Sequence, residues 1–216
     1  HNPSGMDLDA EQWARVAETA GEVGFLPVID MAYQGFGNGL DEDAYGMRLM
    51  ADSVPEMIVC SSCSKNFGLY RDRIGSCSFV SETSEAADVL HSILMPTVRV
   101  NYSMPPAHGA SIVETILGSE ELSAQWHEEL RQMRERIADM RKLLVEALSA
   151  AGVDRDFSFI TRQTGMFSFL GITPEQVQRL LDEFSIYVVG SSRINVAAIS
   201  PDNVEYLAQA IATVLD

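Results

Sequence analysis

The chain has 216 residues, enough for one large domain or two smaller ones with a sizeable core. Its 46% hydrophobic and 21% charged residues are ordinary for a globular protein. With 15 basic against 31 acidic residues the formal charge is −16, which excludes nucleic acid and anionic membrane as expected partners, because both need a basic face. No apolar run approaches the ~18 residues of a membrane span, so neither a membrane segment nor a secretory leader is expected.

The three cysteines, Cys60, Cys63 and Cys77, are too few and too clustered for a secreted disulfide framework. Cys60 and Cys63 make a Cys-x-x-Cys, but no second ligand pair follows for zinc. The pair ends an apolar run instead of opening a helix, as a redox dithiol would. No metal site is expected, and the setting is read as reducing and cytoplasmic.

The chain opens on a turn, His1-Asn2-Pro3-Ser4-Gly5, with no element before it to terminate. Leu8, Trp13, Val16, Ala17 and Ala20 then share a helical face, with Asp9 as cap and Gly21 and Gly24 closing the helix. Phe25 to Ile29 is continuously apolar, the mark of a strand buried on both faces, and it ends at Asp30. A glycine-rich loop from Met31 to Gly39 leads to a helix from about Asp41 to Ala51.

A second strand, Met57 to Ser61, runs into Ser62-Cys63-Ser64-Lys65-Asn66-Phe67-Gly68, with Arg73 eight positions after the lysine. A lysine at the mouth of a buried strand is a candidate nucleophile, since desolvation lowers its pKa and frees the amine. An arginine nearby suits a phosphate, which it holds bidentately. Ser76 to Val80 reads as a third strand and Ser84 to Leu94 as a helix. Strand and helix alternate as in an α/β sheet with helical crossovers. Asp30 and Lys65 both follow carboxyl ends of strands, where such sheets gather their functional residues.

Pro96 to Pro106 reads as irregular and carries Arg99, Asn101, Tyr102 and Ser103. After a short helix from His108 to Leu117, apolar residues from Leu122 to Leu148 recur by threes and fours. A helix of about 120–150 follows, on the order of 45 Å long, and it bridges two domains: 1–132 and 133–216. Phe157 to Ile160, Met166 to Leu170, Ile186 to Val189 and Ile194 to Ala197 read as strands. Thr173-Pro174-Glu175-Gln176 is a capping box, and Ser200-Pro201 caps a last helix.

Taken together and in this order, several stretches resemble one family. They are His1 to Gly5, Asp30-Met31-Ala32-Tyr33-Gln34-Gly35-Phe36, Ser62 to Arg73, Asn101 to Gly109, Gly165 to Phe169 and Arg193-Ile194-Asn195-Val196-Ala197. The chain resembles the pyridoxal-phosphate-dependent enzymes of the aspartate aminotransferase fold (fold type I), in the subgroup of aspartate and aromatic amino-acid aminotransferases. The resemblance implies an α/β chain made of the C-terminal part of a large cofactor domain plus a small C-terminal domain.

It also implies roles. Lys65 would hold pyridoxal 5'-phosphate as an imine and later carry the substrate Cα proton. Asp30 would pair with the pyridine nitrogen, and Tyr33 and Asn2 with the phenolic oxygen. Arg73, Ser62 and Ser64 would grip the phosphate. Arg193 would clamp the substrate α-carboxylate, Asn2 would lie beside it, and Phe167 would wall the pocket. Arg99 would reach into a neighbouring subunit's site toward a second carboxylate, with Ser103 near that boundary, which implies a homodimer with shared sites.

The family's phosphate-binding serine-glycine turn and ring-stacking aromatic have no counterpart here, so a further N-terminal segment is expected. The reaction implied is transamination between aspartate or glutamate and a 2-oxo acid, through a pyridoxamine intermediate. An aromatic preference, another pyridoxal-phosphate reaction such as elimination, and an inactive fragment or assembly subunit are the alternatives.

Overall fold

A computed structural model of the protein describes residues 1–215, and its internal contacts divide the chain into two units. One comprises Leu8–Gly35 and Gly39–Leu130. The other comprises His1–Asp7, Phe36–Asn38 and the residues from Arg131 onward.

In the first unit, α1 (Ala10–Val23) starts at Asp9, whose carboxylate accepts from the Gln12 amide while the Gln12 side chain accepts from the Asp9 amide. This reciprocal cap satisfies two amides that the first turn leaves without partners. The helix stops at Gly24, which takes a left-handed φ of 74°. The sheet holds β1 (Val28–Met31), β2 (Met57–Ser62) and β3 (Gly75–Val80), in the order β1-β2-β3. Helices α2 (Leu40–Asp43) and α3 (Tyr45–Ser53) make the crossover from β1 to β2. They replace the single helix expected there, because the Ala44 amide turns back onto the Asp41 and Glu42 carbonyls.

Strands β1 and β2 are parallel, with Asp30 opposite Cys60. Strand β3 departs from the expected pattern of helical crossovers. The chain reverses through the lysine loop with no crossover helix, so β3 returns antiparallel, with Cys60 opposite Cys77. One sheet face is apolar: Ile29, Met31, Met57, Val59 and Val80 pack with Ala17, Ala20, Met50 and Val54. Side chains alternate along a strand, so Asp30, Cys60, Ser62 and Cys77 share the opposite face.

Three helices follow: α4 (Ser84–Asn101), α5 (His108–Leu117) and α6 (Glu120–Ala150). The irregular stretch expected from Pro96 is in its first part helical. Proline forfeits a single ladder bond there, and beyond it the Tyr102 and Ser103 amides both close on the Val98 carbonyl. Arg99 therefore sits on the last turn of a helix.

In the second unit the expected strand over Phe157–Ile160 is a 3₁₀ turn, Ser158–Arg162. Phe157 and Ile160 are buried with half-buried residues between, and a spacing of three places both on one side of such a turn. Strands β4 (Phe167–Phe169) and β5 (Arg193–Asn195) pair antiparallel, with Phe169 opposite Arg193. Ile186 to Val189, expected as a strand, pairs with none among the described residues. Helix α7 (Pro174–Phe184) carries the capping box of Thr173 and Gln176, and α8 (Val204–Leu215) closes the unit. Its core includes Leu144, Leu148, Ile160, Leu170, Leu180, Val196 and Ile211. Among the described residues no helix is long and apolar enough to cross a membrane.

The α6 stripe gives a test of this packing. Leu144 is fully buried and Leu122 is 40% exposed. Leu144→Ala should cost about 2–5 kcal/mol in denaturant unfolding, and Leu122→Ala within about 0.5 kcal/mol. Equal losses would contradict the packing described.

Candidate active site

Strand ends organise the chemistry of the first unit. Asp30 lies one residue before the end of β1 and is exposed, while Lys65 lies three residues beyond the end of β2 and is half-buried. The Lys65 ammonium stands over the Tyr33 ring, 4.8 Å from its centroid. An aromatic face at that range attracts a cation. It also fixes the end of an otherwise flexible side chain.

The lysine loop is built from short local bonds. The Cys63 amide donates to the Ile74 carbonyl at 3.0 Å, and the Ser64 amide to Ser62 Oγ at 3.2 Å. Gly68 closes the turn onto the Lys65 carbonyl with a φ of 68°, a left-handed value natural to glycine. Longer bonds then hold the loop in place. Asn66 Nδ2 donates to the Gln34 carbonyl at 3.3 Å, which ties the lysine loop to the loop after β1. Trp126 Nε1 donates to the Asn66 carbonyl at 2.7 Å, and its ring stacks on Phe67 with centroids 4.3 Å apart.

Arg73 is exposed and takes a positive φ of 54°. Its Nη1 donates to Ser64 Oγ at 3.4 Å and to the Tyr70 carbonyl at 3.1 Å. Just past β2 the Arg73 guanidinium thus reaches the Ser64 hydroxyl, whose own amide is bonded to the Ser62 hydroxyl. Such a donor set suits a phosphate dianion. The same unit supplies one primary amine over one phenol, Lys65 over Tyr33, and one carboxylate, Asp30, on β1 opposite Cys60. These donors fit pyridoxal 5'-phosphate: amine for aldehyde, carboxylate for pyridinium, and the Arg73–serine group for phosphate.

The second unit gathers the remaining candidates. Arg193 Nη1 donates to Asn2 Oδ1 at 3.0 Å, and its guanidinium carbon lies 4.8 Å from the Phe167 ring centroid. A cavity of about 340 Å³ opens beside them, lined by Phe167, Ile186, Tyr187, Val189, Arg193 and Tyr206 among others. An arginine stacked on an aromatic with its fork in a cavity is arranged to receive a carboxylate. Arg99 and Ser103 belong to the first unit, both exposed, with Ser103 at a φ of 62°.

Sequence reasoning missed Arg141. It sits in the α6 stripe region as an ordinary charge, yet it is 2% exposed. Its guanidinium donates to the carbonyls of Ile160, Thr164, Gly165 and Phe167, and to Gln163 Oε1. Burial brings its pKa down to about 10, against the opposing pull of the Asp7 carboxylate, so it keeps its charge at neutral pH. The turn bearing Asn2 joins the same assembly, since the Thr164 amide donates to the Gly5 carbonyl at 3.0 Å. A Cβ on Gly5 would lie 2.2 Å from the Phe167 carbonyl oxygen, so only glycine lets the turn approach this closely. A basic residue at a core position of the helical period was the available signal.

Arg141→Ala leaves several buried carbonyls without donors, at about 1–3 kcal/mol for each group left unsatisfied. Denaturant unfolding should show at least that loss; an unchanged midpoint would contradict the role of this network.

Comparison with known proteins identifies the family. The sequence model of the family described as "Aminotransferase class I and II" matches residues 1–211. The aspartate aminotransferase of Escherichia coli is 53% identical over 215 residues, which cover 100% of this chain and 54% of that protein. The aromatic-amino-acid aminotransferase of Pseudomonas aeruginosa is 49% identical, over 99% of this chain and 54% of that protein. Among solved structures, the aromatic-amino-acid aminotransferase from Burkholderia pseudomallei, covalently bound to pyridoxal phosphate, superposes with a TM-score of 0.98 at 48% identity. That match covers 100% of this chain and 54% of the other. The chain thus spans about half the length of the curated relatives it matches.

Proposed function

The chain belongs to the class I and II aminotransferase family, and from that premise we propose that it serves pyridoxal-phosphate-dependent transamination between an L-amino acid and a 2-oxo acid. The observation that carries the reading is the Lys65 amine held over Tyr33 beside the Arg73–Ser64 pair, just past the ends of two parallel strands.

When bound, pyridoxal 5'-phosphate supplies an aldehyde for amines and an electron-withdrawing ring. In this reading Lys65 Nζ would hold that aldehyde and would also serve as the base that moves the proton at the substrate Cα. Positioned proton transfer of this kind is worth ~10²–10⁴-fold. Asp30 would pair with the ring nitrogen, a carboxylate there favouring its protonated form. Tyr33 orients the phenolic side, together with Asn2. Arg73, Ser62 and Ser64 anchor the phosphate. Arg193, set by its bond to Asn2 and its stacking on Phe167, receives the substrate α-carboxylate.

Relatives named for aspartate and for aromatic amino acids both match. We favour dicarboxylic substrates, because Arg99 is a fixed cation exposed at the end of α4. It would serve a second carboxylate in the partner subunit of a homodimer, with Ser103 near the boundary. Residues 1–132 then act as the cofactor-domain portion and 133–216 as the small domain. The three free thiols support a reducing, cytoplasmic setting.

Three variants test these roles. Lys65→Ala should abolish transamination of aspartate by 2-oxoglutarate, while Asp30→Asn should lower kcat by at least ~10²-fold; near-normal turnover in either refutes the assignment. Arg99→Leu should raise KM steeply for aspartate and little for phenylalanine, and equal losses for both would refute its role at a second carboxylate.

A further inference from the structure

The cysteine pair that stands out in sequence, Cys60 and Cys63, is not the pair the fold brings together. The β2–β3 register sets Cys60 directly opposite Cys77, 17 residues on, with Sγ atoms 3.9 Å apart. Directly opposed residues on antiparallel strands have Cα atoms about 4.5–5.5 Å apart. That lies inside the 4.4–6.8 Å range of disulfides, so side-chain rotation alone can bring the sulfurs to bonding distance.

From this geometry we propose that Cys60 and Cys77 are a two-electron redox pair, converted to a cross-strand disulfide by a low-molecular-weight disulfide of the oxidised-glutathione class. The proposal does not depend on the cofactor reading.

The two sulfurs differ in setting, and this gives the order of steps. Cys77 is exposed, whereas Cys60 is half-buried. Burial pushes the Cys60 thiol up, and the Cys77 thiol and the Asp30 carboxylate push it the same way. Cys77 is therefore the attacking group: its thiolate displaces one thiolate from the small disulfide and forms a mixed disulfide. Cys60 then loses its proton and attacks the Cys77 sulfur, expelling the second small thiolate. The protein gives up two thiol hydrogens and two electrons, and the reagent leaves as two thiols. Cys63 stands outside this pair: it is half-buried, and burial raises its thiol. The Cys60–Cys77 link would join the two strands on the sheet face that also bears Asp30, which lies opposite Cys60 on β1.

The test treats the folded protein with oxidised glutathione, blocks residual thiols, digests without reduction and maps peptides by mass spectrometry. The Cys60 and Cys77 peptides should appear joined, lighter by two hydrogens, and dithiothreitol should separate them. Cys63→Ser should keep the link, and Cys77→Ser should lose it. A glutathione adduct on Cys77 without the link, a link through Cys63, or free thiols in the folded protein that react only after denaturation would each overturn the proposal.

Discussion

Parallel pairing of β1 with β2 is the constraint on which the first unit depends. Because the strands run the same way, their carboxyl ends fall on one side of the sheet, and the loops that follow start as neighbours. Asp30 then faces Cys60 across the ladder, and the Tyr33 loop stands close enough to the lysine loop for the Lys65 amine to rest on the ring. The Asn66–Gln34 bond fastens the two loops directly. Behind the sheet, the apolar layer of β1, β2, α1 and α3 holds the strand register, since a slip of one residue would turn Asp30 into that layer.

The second unit answers a different problem, which is how to hold an irregular segment still. Residues 160–167 supply no continuous ladder, so their carbonyls need donors from elsewhere. Arg141 provides them from inside the fold. One cation thereby fixes the approach to Phe167 and, through the Gly5–Thr164 bond, the turn that presents Asn2 to Arg193. Buried charge is costly, and here it is spread over five acceptors. Removing the guanidinium would loosen the turn that holds Asn2 against Arg193 without touching either residue.

How much of this was legible in the sequence depends on the range of the interaction involved. Caps at Asp9 and Thr173 and the stop at Gly24 are local, and they stand where the residues predicted. The placement of Lys65 past a strand end was also readable, because the apolar run stops before it; Asp30, expected just past its strand, instead lies within β1, one residue before its end. The antiparallel return of β3 was not, since strand direction depends on whether a helix fits into the connection. Phe157 to Ile160 failed for another reason: three apolar residues in four, with Ser158 among them, suit a strand or a 3₁₀ turn equally, and only burial of the first and last members decides. The Cys60–Cys77 pair was invisible, and Arg141 showed only as a basic residue at a core position of its helix, because the partners of both lie many residues away. The resemblance to aminotransferases supplied roles that spacing alone could not, and the family match over residues 1–211 supports it at that level.

The central claim is that the Lys65 amine is the covalent attachment point for the cofactor. Borohydride reduction of the cofactor-saturated protein, followed by peptide mass spectrometry, tests it most directly. A reduced pyridoxyl group on Lys65 Nζ, and on no other amine, is the expected result. An unmodified Lys65 in protein that demonstrably carries the cofactor would contradict the account.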